Sequence, residues 1–443
     1  MFIRTLPSPP PQARHWHAAF VASLMALFHP LSGQAVPLTL EEALNVAEQR
    51  NPSLQEARAS VAAAQGEFND VRAPLWNNPQ ITTEHRRRQL SQVGRPGSQR
   101  NDTGIGVSQT FELGGQQQAR RSAAEANKWV VEQTIEATRR EVRGEATQRF
   151  IQVLSLQQRT QTDERALEIL QRAAESVRKR VKAGEDSRLD GNLALVEAER
   201  AANQLAQVKE QLSQVRAALA SFLQLDPGSA PEATGELDAV PAGYTLTDLL
   251  TSAARRPMMQ AFDAKERAAK SRLNLERGTV YPDLTVGVFF SPENDIDGKD
   301  RITTLTFSLP LPLFRRNSTG IGRAQTELDR ARIERQAAER DTQATVTVLW
   351  QRLESLRQRV DRLQTFVLPS LEENQTLSLK ALQAGAIGLS QFLLVRRQVL
   401  DGQRDLLDAR TELRLASVAL ENAAGWPEEL SPLVAGSAKD PRQ

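Results

Sequence analysis

The stretch Ala183-Gly184-Glu185-Asp186-Ser187-Arg188-Leu189-Asp190 interrupts a long run of helix-forming residues, and Ala384-Gly385-Ala386-Ile387-Gly388-Leu389-Ser390 interrupts another at an offset of 201. The offset continues without a gap through the following segments, pairing Leu205, Leu212 and Leu219 with Leu406, Leu413 and Leu420. Upstream, Thr39-Leu40-Glu41-Glu42-Ala43-Leu44 corresponds to Thr245-Leu246-Thr247-Asp248-Leu249-Leu250, and each is followed by an Ala-rich segment and a proline, Pro52 or Pro257. The chain is therefore a tandem duplication of a unit of roughly 200 residues.

Within each half the pattern predicts a helix, two strand-like runs, one very long helix, a glycine turn and another helix. The first half gives helices near 39–72, 116–182 and 188–225, and the second gives 246–278, 320–383 and 390–424. Leu167, Leu170, Ala174, Val177 and Val181 step by three and four. Leu349, Leu353, Leu356, Val360, Leu363 and Val367 do the same. That spacing is the seam of a left-handed coiled coil. At 1.5 Å per residue the segment 116–182 would run about 100 Å, too long for a compact domain, so the glycine turns fold each long helix back as an antiparallel hairpin.

The strand-like runs fall at equivalent places, 81–90 with 103–111 and 284–290 with 302–309. In the second of them Ile105, Val107 and Phe111 alternate with Gly104, Gly106, Ser108 and Thr110; in the fourth, Leu305, Phe307 and Leu309 alternate with Thr304, Thr306 and Ser308. A period of two over about ten residues suits strands with one face in lipid and one in water. Four strands cannot close around a useful lumen, whereas three chains supply twelve, so a trimer follows if the strands span a membrane.

Composition narrows the function. Among 443 residues, 56 Lys and Arg nearly balance 54 Asp and Glu, which removes the bulk electrostatic reason to bind nucleic acid. The absence of Cys removes disulfides, thiolate metal sites and a cysteine nucleophile. Arg4 and Arg14 ahead of the apolar run 18–28, with small residues at Gly33 and Ala35, read as a secretory signal over 1–35. That run is too short to cross a bilayer as a helix. The remaining layout is a first repeat over 36–228, an inter-repeat linker over 229–244, a second repeat over 245–426 and a tail over 427–443.

The sequence resembles the TolC family of outer-membrane efflux channels, nearest to its CzcC-like branch, which serves heavy-metal exporters of the RND type. The residues that carry the likeness are Asn51-Pro52-Ser53-Leu54 with Ala57-Arg58, then Asn78-Pro79-Gln80-Ile81. Next comes Ser108-Gln109-Thr110-Phe111-Glu112-Leu113-Gly114-Gly115 leading into Ala119-Arg120, and last the turn after each long helix. The resemblance implies a homotrimer with a twelve-stranded barrel in the outer membrane of a Gram-negative bacterium, continuous with a helical periplasmic tunnel. It also implies a periplasmic adaptor (a membrane fusion protein) and an inner-membrane RND pump as partners, with no cofactor and no catalysis. The function expected is a passive exit duct for divalent heavy-metal cations. The alternatives are a duct for drugs or other organic solutes and, in a different class, a coiled-coil scaffold outside any membrane.

By the family pattern the adaptor docks on Gly184, Ser187, Leu189 and Asp190 in the first turn and on Gly385, Gly388, Leu389 and Ser390 in the second. The physical case is that a glycine-held turn presents apolar side chains, here Leu189, Ile387 and Leu389, to a partner hairpin; the plainer alternative is that these residues only close the turns. The family often places acids at the tunnel mouth, but here Lys380 and its repeat mate Lys179 stand near it. Glu185, Asp186, Glu372 and Glu373 are the acids that could replace them.

Other candidates carry less. His85-Arg86-Arg87-Arg88 touches lipopolysaccharide head groups, lines the lumen, or is an exposed charge run; His85 alone is no metal site. Residues 294–300 lack the closing Glu of a calcium loop and read as an exterior hairpin tip. Thr319-Gly320-Ile321-Gly322 starts a helix, and Met258-Met259 is core. A single His in the mature chain leaves no Ser-His-Asp arrangement, so the chain reads as no enzyme.

Overall fold

A computed structural model describes residues 35–92, 95–226, 228–237, 243–294 and 299–426. The expected leader, apart from Ala35, and the expected tail over 427–443 lie outside the described residues, as do Pro227, Pro241, Ala242 and the hairpin-tip residues 295–298.

The chain opens with β1 (Ala35–Thr39) and α1 (Leu40–Arg50). Thr39 forms a reciprocal capping box: its hydroxyl accepts the Glu42 N–H at 3.3 Å while the Glu42 carboxylate accepts the Thr39 N–H at 2.9 Å. Thr245 and Asp248 build the same box at the start of the second repeat, with matching distances of 3.3 and 2.9 Å. Each cap of this kind stabilises its helix by about 1 kcal/mol. The single helix expected over 39–72 is in fact two, because a residue before proline is pushed out of the helical region. Asn51 takes ψ 125° and its side chain caps α2 (Pro52–Val71). The second repeat breaks likewise before Pro257, giving α5 (Leu246–Ala254) and α6 (Pro257–Gly278) below.

After β2 (Gln80–Gln92) and β3 (Arg95–Phe111) comes α3 (Gln116–Ala183), a helix of 68 residues, and then α4 (Arg188–Phe222). Residues read as the inter-repeat linker contain β4 (Ala230–Thr234), which pairs in parallel with β1. The linker thus clasps the start of the first repeat instead of running free. The second repeat then supplies α5, α6, β5 (Leu284–Asn294), β6 (Lys299–Ser308), α7 (Ser318–Arg362), α8 (Leu368–Gln383) and α9 (Leu389–Ala424).

The uninterrupted helix expected over 320–383 is corrected by a π-helical turn at Leu363–Val367 between α7 and α8. Pro369 has no N–H to give the carbonyl one turn back, and a wider turn at such a point lets the rod continue. Among the described residues no helix is long and apolar enough to cross a membrane.

Two buried clusters hold the halves. Leu44, Leu54, Phe150, Val153, Leu219 and Leu223 belong to the first. Tyr244, Leu249, Val346, Leu353 and Leu420 belong to the second, with Tyr244 edge-on to Trp426 at 5.1 Å between ring centroids. The repeats are joined along α3 and α9 by a polar ladder at steps of three or four residues: Ser155 to Thr411 (2.7 Å), Arg159 to Asp408 (3.3 Å) and Asp163 to Arg404 (2.8 Å). Asp163 is only 1% exposed, so its charge depends on that arginine.

Candidate channel wall and docking turns

The four strands β2, β3, β5 and β6 form one antiparallel sheet in that order, so the hairpin of the first repeat is joined to that of the second through β3 and β5. Among the described residues, β2 and β6 are edges with no partner strand. Because strand directions alternate across four strands, a neighbouring copy's β2 can add antiparallel to β6, and a ring of copies leaves no edge.

Register assigns every side chain to a face. Ile81, Val107, Val288 and Leu305 share one cross-strand row, and Ile105 with Phe290 and Val286 with Phe307 lie in rows on the same side. Ile81, Ile105, Val107, Phe290, Leu305 and Phe307 are all more than half exposed, an apolar surface that a water-facing sheet would not carry. The opposite face carries Thr82, Glu84, Ser108, Thr304 and Thr306, with buried Gly104 and Gly106 beneath the Phe289 ring. A Cβ on Gly104 or Gly106 would stand 2.4 Å from that ring, so these two glycines let an aromatic lie flat against the wall.

The run His85-Arg86-Arg87-Arg88 lies inside β2, which sorts it by parity. Arg86 and Arg88 share the polar face and meet carboxylates, Arg86 with Glu84 at 3.1 Å and Arg88 with buried Asp102 at 2.9 Å. His85 and Arg87 share the apolar face, where Arg87 donates to the neutral amide of Gln99 and His85 bonds Thr103.

Glu112-Leu113-Gly114-Gly115 turns the sheet into the helical rod. Gly115 caps α3 at φ 74°, a left-handed conformation that Asn317 repeats at φ 51° before α7. Gly114 packs against the backbone of Gly278 at the end of α6, and Gln116 donates to Asp283 at 3.1 Å. Arg120 bonds Glu112 at 2.6 Å and lies 4.3 Å over the Trp76 ring.

At the far end of the rods, both glycine turns close with one hydrogen-bond pattern. The Gly184 N–H donates to Val181 and the Glu185 N–H to Arg180; Gly385 and Ala386 do the same to Leu382 and Ala381. This is the Schellman closure, with Gly184 at φ 78° and Gly385 at φ 72°. The turns differ beyond that point. The Ser187 hydroxyl caps α4 by accepting the Asp190 N–H, whereas Gly388 offers α9 no side-chain cap. The expectation that three apolar side chains stand out is corrected: Leu189 is 68% exposed, but Ile387 and Leu389 are half-buried. Ser390 is exposed and Asp190 half-buried.

The charges expected near a tunnel mouth are partly engaged. Asp186 lies 3.0 Å and Glu185 3.6 Å from Arg180, and Lys179 pairs with Glu175 at 3.6 Å. Glu372, Glu373 and Lys380 are all exposed along α8. Met259 is buried and Met258 half-buried on α6, and Gly320 and Gly322 fall in the first turns of α7. Among the described residues no three His, Asp or Glu side chains gather as metal ligands would. The Asp163–Arg404 pair and the Arg120–Trp76 stack were not anticipated, since their partners lie 241 and 44 positions apart and neither side chain breaks a local pattern.

Comparison with known proteins gives three findings. The family model described as outer membrane efflux protein matches residues 43–223 and 250–426, one match per repeat. The cobalt-zinc-cadmium resistance protein CzcC of Cupriavidus metallidurans is 28% identical over 85% of each chain, and the pyoverdine export outer membrane protein OpmQ of Pseudomonas putida is 25% identical over 87% of this chain and 85% of its own. The crystal structure of the outer membrane protein VceC from Vibrio cholerae superposes with a TM-score of 0.72 at 17% identity, covering 87% of this chain and 96% of that one.

Proposed function

The chain belongs to the outer membrane efflux protein family, and on that footing we propose that it is the passive, trimeric exit duct of a tripartite RND-type exporter that carries divalent heavy-metal cations. The observation that carries the duct is the four-stranded sheet with an apolar exposed face, a polar opposite face and two free edges. Three copies joined edge to edge supply twelve strands, with the exposed isoleucines, valines and phenylalanines toward lipid and the threonines, serines and Phe289 toward the bore. The long helices then continue the bore into the periplasm.

The metal assignment is supported by the likeness to CzcC over most of both chains. With no Cys, one His beyond the expected leader and no cluster of three His, Asp or Glu among the described residues, the chain offers no strong ligand set, so the cation passes as a hydrated solute and the pump does the selecting. The turns around Gly184 and Gly385 are assigned to the adaptor, with Leu189 as the apolar contact of the first turn. The likeness to OpmQ favours a second reading, a duct for drugs or other organic solutes. Complementation of a deletion strain separates the two: restored resistance to zinc, cobalt or cadmium supports the metal reading, and restored export of an organic solute without metal resistance replaces it. Under the metal reading His85→Ala leaves resistance unchanged.

A further inference from the structure

The proposed membrane orientation, on which the following rests, leaves the outward half of the basic run unexplained. Inward, Arg86 and Arg88 are matched to Glu84 and Asp102. Outward, the described side chains of the same rows are His85, Arg87 and Gln89 on β2, Gln99, Asn101 and Thr103 on β3, Pro292 on β5 and Arg301 on β6; Arg87 donates to the neutral Gln99 amide at 2.6 Å, and there is no carboxylate among them. Arg301 is exposed, as is Arg87.

Their height is set by register. The last apolar row pairs Ile105 with Phe290 and Thr83. The row of His85, Thr103 and Arg301 lies two residues beyond it, about 7 Å along the strands, and Arg87 lies about 13 Å beyond. A strand tilt near 40° reduces these to about 5 and 10 Å along the membrane normal. The head-group layer occupies about the first 5–7 Å outside the hydrocarbon. A guanidinium stem reaches several ångströms, so both arginines can place their charge in that layer, where a cation costs little, and not in the hydrocarbon, where it costs most. In the ring, β6 of one protomer abuts β2 of the next, so each of the three seams carries one Arg301 and one Arg87.

We propose that Arg87 and Arg301 form a cationic rim at the outer edge of the apolar band that binds the phosphate groups of outer-leaflet glycolipid. Arginine suits this task because its planar fork grips phosphate oxygens in pairs.

The test uses full-length trimer extracted from outer membranes and offered phosphorylated lipid A, its dephosphorylated form, or inorganic phosphate, with bound lipid read by native mass spectrometry. Wild-type trimer retains phosphorylated lipid A about tenfold better than the R87Q/R301Q variant does. The inward R86Q/R88Q variant retains it like wild type, and retention by wild type itself falls as salt is raised. Equal retention by wild type and R87Q/R301Q overturns the proposal, as does an equal loss in R86Q/R88Q. Displacement by inorganic phosphate at matched concentration also overturns it, showing a site for free anion. If no trimer is found in the outer-membrane fraction, the underlying duct reading falls with it; a normal trimer without a phosphate-dependent difference ends this inference alone.

Discussion

Gly114 and Gly278 meet backbone to backbone where sheet becomes rod: a Cβ on Gly114 would stand 2.3 Å from the Gly278 carbonyl oxygen, and a Cβ on Gly278 would stand 2.8 Å from that of Gly114. One glycine ends the strand-to-helix turn of the first repeat and the other ends the last helix before the sheet in the second. The contact therefore fixes how the two halves enter the barrel together.

Gly114→Ala forces that crossing apart and is expected to destabilise the fold by about 1–3 kcal/mol, as overpacking does. Gly66, in mid-α2 with nothing within 4 Å of its virtual Cβ, is the control. Gly66→Ala is expected to be neutral or stabilising by up to about 1 kcal/mol. Denaturant midpoints of the two variants should move in opposite directions or, at the least, by clearly different amounts.

The α3–α9 ladder predicts a second asymmetry. Arg404→Met leaves buried Asp163 without its cation and should cost about 3–5 kcal/mol, whereas Asp163→Leu combined with Arg404→Met should recover most of that loss. A double-mutant cycle on thermal unfolding measures the coupling directly.

Tyr244 is buried beside Glu421, to which it donates at 3.1 Å, and burial with that carboxylate pushes its phenol up to about 12. The folded chain thus holds the phenol proton more tightly than the unfolded chain, whose value is about 10. The stabilisation is fully present below about pH 10 and is lost as pH rises toward 12. Since the chain has only 2 tyrosines, a Tyr281→Phe variant leaves Tyr244 as the sole source of tyrosinate absorbance. Its titration should appear well above the ordinary range and return to it on unfolding.

At the docking turns, Leu189→Asp is expected to weaken export strongly while the trimer remains intact, because Leu189 is exposed and packs little of the fold. The same change at half-buried Leu389 should lower stability as well as export. Export assayed beside heat-modifiability on gels distinguishes the two effects.

Much of this architecture is legible in one sequence because it repeats. The capping boxes at Thr39 and Thr245, the prolines that follow, and the glycines at 184 and 385 are local signals, each with its own chemistry, and duplication makes each pair vouch for the other. The boundaries that differ have local causes too: a helix expected over 39–72 breaks at Asn51 because Pro52 disfavours its helical conformation, and the rod expected over 320–383 widens into a π-helical turn at Leu363–Val367, just before Pro369, without ending.

What the sequence withholds is contact between distant residues. Nothing near Asp163 marks it as buried, since an aspartate on a heptad helix looks like any solvated charge until Arg404 closes over it. The basic run at 85–88 is ambiguous in the sequence for a different reason: strand alternation splits it into two faces, but which partners each face meets follows only from the register with β3. At the turns, Ile387 and Leu389 are half-buried and not exposed, because a short apolar run beside glycine gives no sign of how far the fold covers it.

Single-particle imaging of the protein extracted from outer membranes tests the duct most directly. A threefold particle in which β6 of each protomer pairs antiparallel with β2 of its neighbour, closing twelve strands around an open bore, is the predicted result. A particle whose β2 and β6 edges stay unpaired, or whose Ile81–Val107–Leu305 face packs against protein and not lipid, would contradict it.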